Sequence, residues 1–199
     1  MNYTSKLKSS GTILICMLVL AFLFVQGCKE AYSPKPRSYF RIDFPEKEYR
    51  TYASDCDFSF EYPAYSEVEQ VALQGREPCW YNIRFTDYRA TIYLTYKPLA
   101  NNLSTYIEDI HKIVYKHIIK ADDILETRIN DRERDVFGIV YDIKGNTASS
   151  VNFYITDSAS GFISGSLYFN VPTNRDSLAP AIQFFREDIL HLIHTFSWE

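Results

Sequence analysis

A chain of 199 residues with 21 basic and 25 acidic side chains carries a formal charge of −4, and 46% of its residues are apolar and 16% aromatic. Such a length suits one domain behind a leader. A mildly acidic surface has no electrostatic reason to hold nucleic acid or an anionic lipid face.

Lys6 and Lys8 stand in a head without acids, and Thr12 to Val25 is apolar. That run is shorter than the ~20 apolar residues a spanning helix needs. A basic head and a short apolar core form the pattern of a secretory signal. Val25-Gln26-Gly27-Cys28 then resembles a bacterial lipobox, in which residues 1–27 are removed and Cys28 is lipidated as the new first residue. Each buried methylene contributes about 0.8 kcal/mol and one acyl chain holds only marginally, so a multiply acylated cysteine is held firmly. Loss of Lys6 and Lys8 leaves 19 basic against 25 acidic groups, a charge of −6. Residues 28–38, with Pro34 and Pro36 set among charges, read as lipid anchor and extended tether, and 39–199 as a single domain. Cys56 and Cys79 remain as an even pair in a chain sent to an oxidising compartment, so a disulfide is expected. Their separation and the lack of a nearby histidine argue against a metal site.

Alternation begins with Phe40, Ile42 and Phe44, and continues through Phe58, Phe60 and Tyr62, then Tyr81, Ile83 and Phe85, then Ile92, Leu94 and Tyr96. A period of two with polar residues between predicts antiparallel strands with one face covered. Leu103, Ile107, Ile110, Val114 and Ile118 change the period to that of an amphipathic helix, with Thr105 and Glu108 spaced as a capping box. Strands return as Phe137, Ile139, Tyr141 and Ile143, then Val151, Phe153 and Ile155, then Ile163, Leu167 and Phe169. The turns at 144–147 and 157–161 make these a meander. Asp176 or Ser177 can cap a last helix that tolerates Pro180 in its first turn and carries a stripe of Leu178, Ile182, Phe185, Ile189, Leu192 and Phe196. The expected class is α+β, two amphipathic helices packed on an antiparallel sheet.

The chain has no phosphate-binding glycine motif, no Gly-x-Ser-x-Gly elbow and no His-Glu-x-x-His. Glu187, His191 and His194 have helical spacing for a metal, but they read as a solvated face, as does His111. His117 falls on an apolar stripe and reads as a core histidine. Asp122 and Asp123 are adjacent and diverge, so they read as a turn or helix cap. Tyr154 and Tyr168, with Tyr93, occupy the strand face opposite the apolar set. They either form an exposed surface for sugar rings or a partner protein, or lie under a helix on the second face. Asp157-Ser158-Ala159 resembles a short acceptor motif for O-glycosylation at Ser158, and Asp176-Ser177-Leu178 fits the same pattern.

The stretches YSPKPRSYFRIDFPEKEY (32–49), YDIKGNTASSVNFYITDS (141–158) and LYFNVPTNRDSLAPAIQFFREDI (167–189) resemble the gliding-motility lipoprotein GldD family of Bacteroidota. The resemblance implies a non-enzymatic envelope lipoprotein required for gliding, which assembles with other motility and type IX secretion-associated lipoproteins. It supplies no catalytic residue, cofactor or small-molecule substrate. The layout is also similar to the PsbP/Mog1-like fold, an analogy that says nothing of chemistry. Lys29 follows Cys28 where an inner-membrane lipoprotein would carry aspartate, so the outer membrane is expected; Cys28-Lys29-Glu30 resembles a surface-export signal whose acidic run Ala31 breaks, so the periplasmic face is expected. A glycan- or peptidoglycan-binding module acting through Tyr93, Tyr154 and Tyr168 is the alternative function.

Overall fold

The computed structural model describes residues 42–71, 79–116, 121–172 and 175–199. All belong to the second of two units, Met1–Ser38 and Tyr39–Glu199, into which the chain divides. The signal, Cys28, the tether, Phe40, His117 and Ile118 lie outside the described residues.

In chain order the elements are β1 (Tyr49–Ala53), β2 (Phe58–Pro63), β3 (Glu67–Gln70), β4 (Trp80–Phe85), β5 (Ala90–Pro98), α1 (Leu103–Tyr115), β6 (Ala121–Asp131), β7 (Val136–Gly145), β8 (Ser149–Thr156), β9 (Gly161–Phe169), α2 (Arg175–Thr195) and β10 (Ser197–Trp198). The architecture is α+β. Seven strands form one sheet in the order β3-β4-β5-β9-β8-β7-β6, and β1-β2-β10 form a small second sheet. Every neighbouring pair is antiparallel. The expected meander of β7, β8 and β9 is present, with Gly145 at the first turn taking a φ of 126° that disfavours any side chain.

Both faces of the large sheet are packed, where the alternation predicted one. Val136, Val140, Phe153, Ile155 and Leu167 point to a core shared with Phe185, Ile189 and Leu192 of α2 and with Phe58 and Phe60 of β2. The other set, Tyr141, Ile143, Tyr154 and Phe162, packs on α1 through Val114, Ile107 and Ile110. Alternation identifies which residues share a face, but a face covered by a crossing helix and one open to water can carry the same aromatic side chains.

Several local expectations are corrected. Ile42 to Phe44 form no strand, because Phe44 instead stacks on Phe184 with ring centroids 4.2 Å apart. Asp122 and Asp123 lie within β6 rather than in a turn or cap, at a register shift between Ala121 and Asp123. The capping box is not used, since α1 starts at Leu103 and its N-cap Asn102 turns its Oδ1 back to the Ala100 N–H at 2.9 Å. Helix α2 begins at Arg175, so Asp176 and Ser177 fall inside it, ahead of Pro180.

Candidate functional site

Asp188 comes three residues after Phe185 and four before Leu192, which places a carboxylate on the buried stripe of α2. Its side chain is fully buried. Oδ1 accepts from Lys47 Nζ at 2.7 Å and from the Tyr49 hydroxyl at 3.0 Å, and Oδ2 accepts from the Tyr65 hydroxyl at 2.7 Å. Lys47 also donates to the Phe184 carbonyl at 2.7 Å and lies 3.8 Å above the Phe184 ring. A carboxylate removed from water is tolerable when a cation and hydroxyls replace the lost hydration, as they do here. Burial, followed by the Asp188 charge and hydrogen bonds, pushes the Tyr49 and Tyr65 hydroxyls well above the ordinary phenol range. With both oxygens engaged, the cluster fastens the segment from Phe44 to Tyr49 against α2, its carboxylate shut off from solvent.

His191 is not an isolated side chain on a solvated face. Its Nε2 lies 2.6 Å from Glu61 Oε2 on β2, and its ring stacks on Tyr49 at 3.5 Å between centroids. His194 is exposed and the Glu187 side chain is 53% exposed, so the three residues do not converge. No group of three His, Cys, Asp or Glu among the described residues could hold a metal ion. His111 is also not free on the surface: its Nε2 lies 2.9 Å from the Tyr141 hydroxyl. Beside α2, a cavity of about 380 Å³ is lined by Leu125, Ile182 and Gln183 together with Asp142 and Arg186, which form a bidentate pair at 2.6 and 2.9 Å.

The three predicted surface tyrosines separate. Tyr154 is only 7% exposed, stacked on Phe162 at 5.5 Å beneath α1, so it is a core residue and not part of an exposed surface. Tyr93 is 47% exposed, and Tyr168 is half-buried with its ring 5.6 Å from that of Tyr93 at an interplanar angle of 75°. The register pairs Tyr93 with Ser166 and Thr95 with Ser164 on this face. The Ser166 hydroxyl donates to Asn152 Oδ1 at 2.7 Å. Next to these residues a cleft of about 440 Å³ opens between α1 and the sheet, with Thr95, Ser164 and Phe162 as floor and Tyr106 and Ile113 as wall. Lys97, Lys112 and Lys116 line it against a single aspartate, Asp109. Lys97 Nζ lies 4.7 Å over the Tyr106 ring, and Lys112 reaches Asp109 at 3.4 Å and Glu108 at 3.9 Å. Glu108, Asp109 and Lys112 on α1, with Lys116 just after it, give no local signal of a cleft, because its other half comes from β5 and β9.

Cys56 and Cys79 are joined as a disulfide with 6.2 Å between their Cα atoms. It ties the turn after β1 to the start of β4, and therefore the small sheet to the large one. Ser158 is exposed at the β8–β9 turn with φ 68°. Its neighbour Asp157 closes that turn, accepting the Ala159, Ser160 and Gly161 N–H groups at 2.8–2.9 Å and the Ser160 hydroxyl. Burial alone would raise the Asp157 carboxyl, but these donors together hold it below the usual carboxylate value.

Among the described residues no helix is long and apolar enough to cross a membrane. No curated protein matches the chain. A solution structure of cyanobacterial PsbP (CyanoP) from Synechocystis sp. PCC 6803 is similar, at 9% identity and a TM-score of 0.48 over 78% of this chain and 95% of that one. A family model described as gliding motility lipoprotein GldD matches residues 29–198. Phe44, Lys47 and Tyr49 from the first of the three family-like stretches meet Phe184 and Asp188 from the third, and Asp142 from the second meets Arg186. The match takes in all of these contacts, and the chain belongs to the gliding motility lipoprotein GldD family.

Proposed function

We propose that the protein is held by lipid on Cys28 at the periplasmic face of the outer membrane, where it acts as a non-enzymatic component of the motility apparatus. In this reading it assembles with other motility lipoproteins and with those associated with type IX secretion. The observation that carries it is the family match over residues 29–198, which starts at the residue after Cys28. The basic head at Lys6 and Lys8, the apolar run from Thr12 and the lipobox-like Val25-Gln26-Gly27-Cys28 supply the export and acylation signals that such a position requires. A domain whose most buried ionic cluster is fully engaged internally suits a scaffold better than a catalyst.

Palmitate labelling of native cells tests the anchor. Label is expected on the wild type and absent from Cys28→Ala, which should leave the outer-membrane fraction. Deletion of the gene should abolish spreading on agar, and in-cell crosslinking should capture other envelope lipoproteins. A deletion strain that spreads and secretes normally overturns the motility reading.

A further inference from the structure

The second face of the large sheet is only partly covered by α1, and what lies beside the helix is a trough rather than a flat surface. Tyr93 and Tyr168 stand at one end as an edge-to-face pair. Ser166, Ser164 and Thr95 form a hydroxyl-lined middle. Lys97 and the α1 wall with Tyr106, Lys112 and Lys116 close the other end. Tyr93 and Lys97 are four residues apart on β5, which sets the ends ~13 Å apart at the usual rise of a strand. We infer that this trough binds a short carboxylate-bearing glycan, with sugar rings on Tyr93 and Tyr168 and acidic groups toward Lys97, Lys112 and Lys116. The inference does not depend on the motility role.

Three features decide the chemical class. First, charge: the whole chain is net negative at −4, yet the cleft sets three lysines against one aspartate. An anion gains there. The Lys112 pairs with Asp109 and Glu108 are exposed and solvent-screened, so they compete weakly with a bound carboxylate. Second, the floor is polar and hydroxylic. The Ser166 proton is committed to Asn152, which leaves its oxygen an acceptor. An apolar helix laid over the Thr95, Ser164 and Ser166 hydroxyls would desolvate them without a partner, at a cost that a polyhydroxylated ligand avoids. Third, β5 and β9 are central strands whose backbone groups are used in their own ladders, so an added peptide strand has no edge to pair with here. Ring faces and side-chain hydroxyls are what the surface offers. A cleft of about 440 Å³ falls within the ~300–1,000 Å³ typical of ligand sites.

Trp80 lines the cleft and is one of two tryptophans, so its fluorescence reports on occupancy. The full-length lipidated protein in detergent micelles should be titrated with an α-1,4-linked galacturonate pentamer, its methyl ester and a pentaglutamate peptide, with calorimetry as a second readout. The galacturonate pentamer is expected to bind, more weakly at high salt, and its methyl ester and pentaglutamate at least about tenfold more weakly. Tyr93→Ala and Lys97→Gln should each weaken the acidic glycan about tenfold while leaving the unfolding midpoint in place. No binding of the galacturonate pentamer overturns the proposal. Equal binding of pentaglutamate overturns it in favour of an acidic protein partner. Unchanged affinity in both folded variants places the ligand elsewhere and overturns it as well.

Discussion

Lys47 and Asp188 face each other at 2.7 Å across 141 residues of sequence, with the carboxylate fully buried and the ammonium partly so. Such a pair is expensive to break from one side, because the survivor keeps its burial and loses its counter-charge. Asp188→Ala is therefore expected to destabilise the domain by about 3–5 kcal/mol, and Asp188→Asn by less, since an amide still accepts from Tyr65. Urea unfolding at neutral pH measures both. A loss below about 1 kcal/mol for Asp188→Ala would show that the cluster does not secure the segment around Lys47.

The same cluster predicts the alkaline limit of stability. Tyr49 and Tyr65 have folded-state values raised above the ordinary 10.0, so the folded form favours the neutral phenol. For a raised group the contribution is complete below the unfolded value and is lost as pH climbs through the folded one. Stability should hold up to about pH 10 and then fall steadily. Tyr65→Phe cannot ionise there and should show a shallower decline. Thermal midpoints recorded from neutral to strongly alkaline pH decide it, and identical slopes for the two proteins would exclude Tyr65 as a source.

The Cys56–Cys79 bond closes a loop of 23-residue separation and ties the two sheets together. Chain-entropy reasoning gives about 3 kcal/mol for a loop of this size. Unfolding of the reduced protein, or of the double Cys56→Ala/Cys79→Ala variant, should occur at correspondingly lower urea. Peptide mapping without reductant should recover the two cysteines as one linked species.

Gly165 on β9 is opposite Phe153 on β8, and a Cβ there would overlap the Phe153 ring and come within 2.9 Å of Leu94. Both neighbours are core residues with no free space to retreat into. Gly165→Ala should cost about 1–3 kcal/mol by overpacking. Pairing it with Phe153→Leu should recover part of that loss, whereas simple additivity of the two effects would show that the clash is relieved elsewhere.

Strands with strong apolar alternation, such as Phe58 to Tyr62 and Val151 to Ile155, were legible from the sequence, as were both helices. Strand β6 was not. Its residues ADDILETRIND carry charge on both faces, because an edge strand is held by one neighbour and remains exposed to water. The short β1, β3 and β10 have too few residues for a period to show. Asp188 did carry a signal, an acid on an apolar stripe between Phe185 and Leu192, but its partners lie 123 to 141 residues away and no local spacing points to them. The tyrosine face was readable as a face, while its division into covered Tyr154 and exposed Tyr93 depended on where α1 crosses, which alternation does not encode.

The small sheet takes its second flank from Ser197–Trp198, and the segment before it takes its counter-charge from Asp188. While the chain emerges from its N-terminal side, β1 and β2 are thus a two-stranded hairpin, a form that is marginal on its own in water. Their partners arrive only with the last few residues, after a long loop must be closed. The N-terminal strands are consequently the last to acquire their final form, and maturation of the domain runs backward along the chain, from helix α2 to β1 and β2.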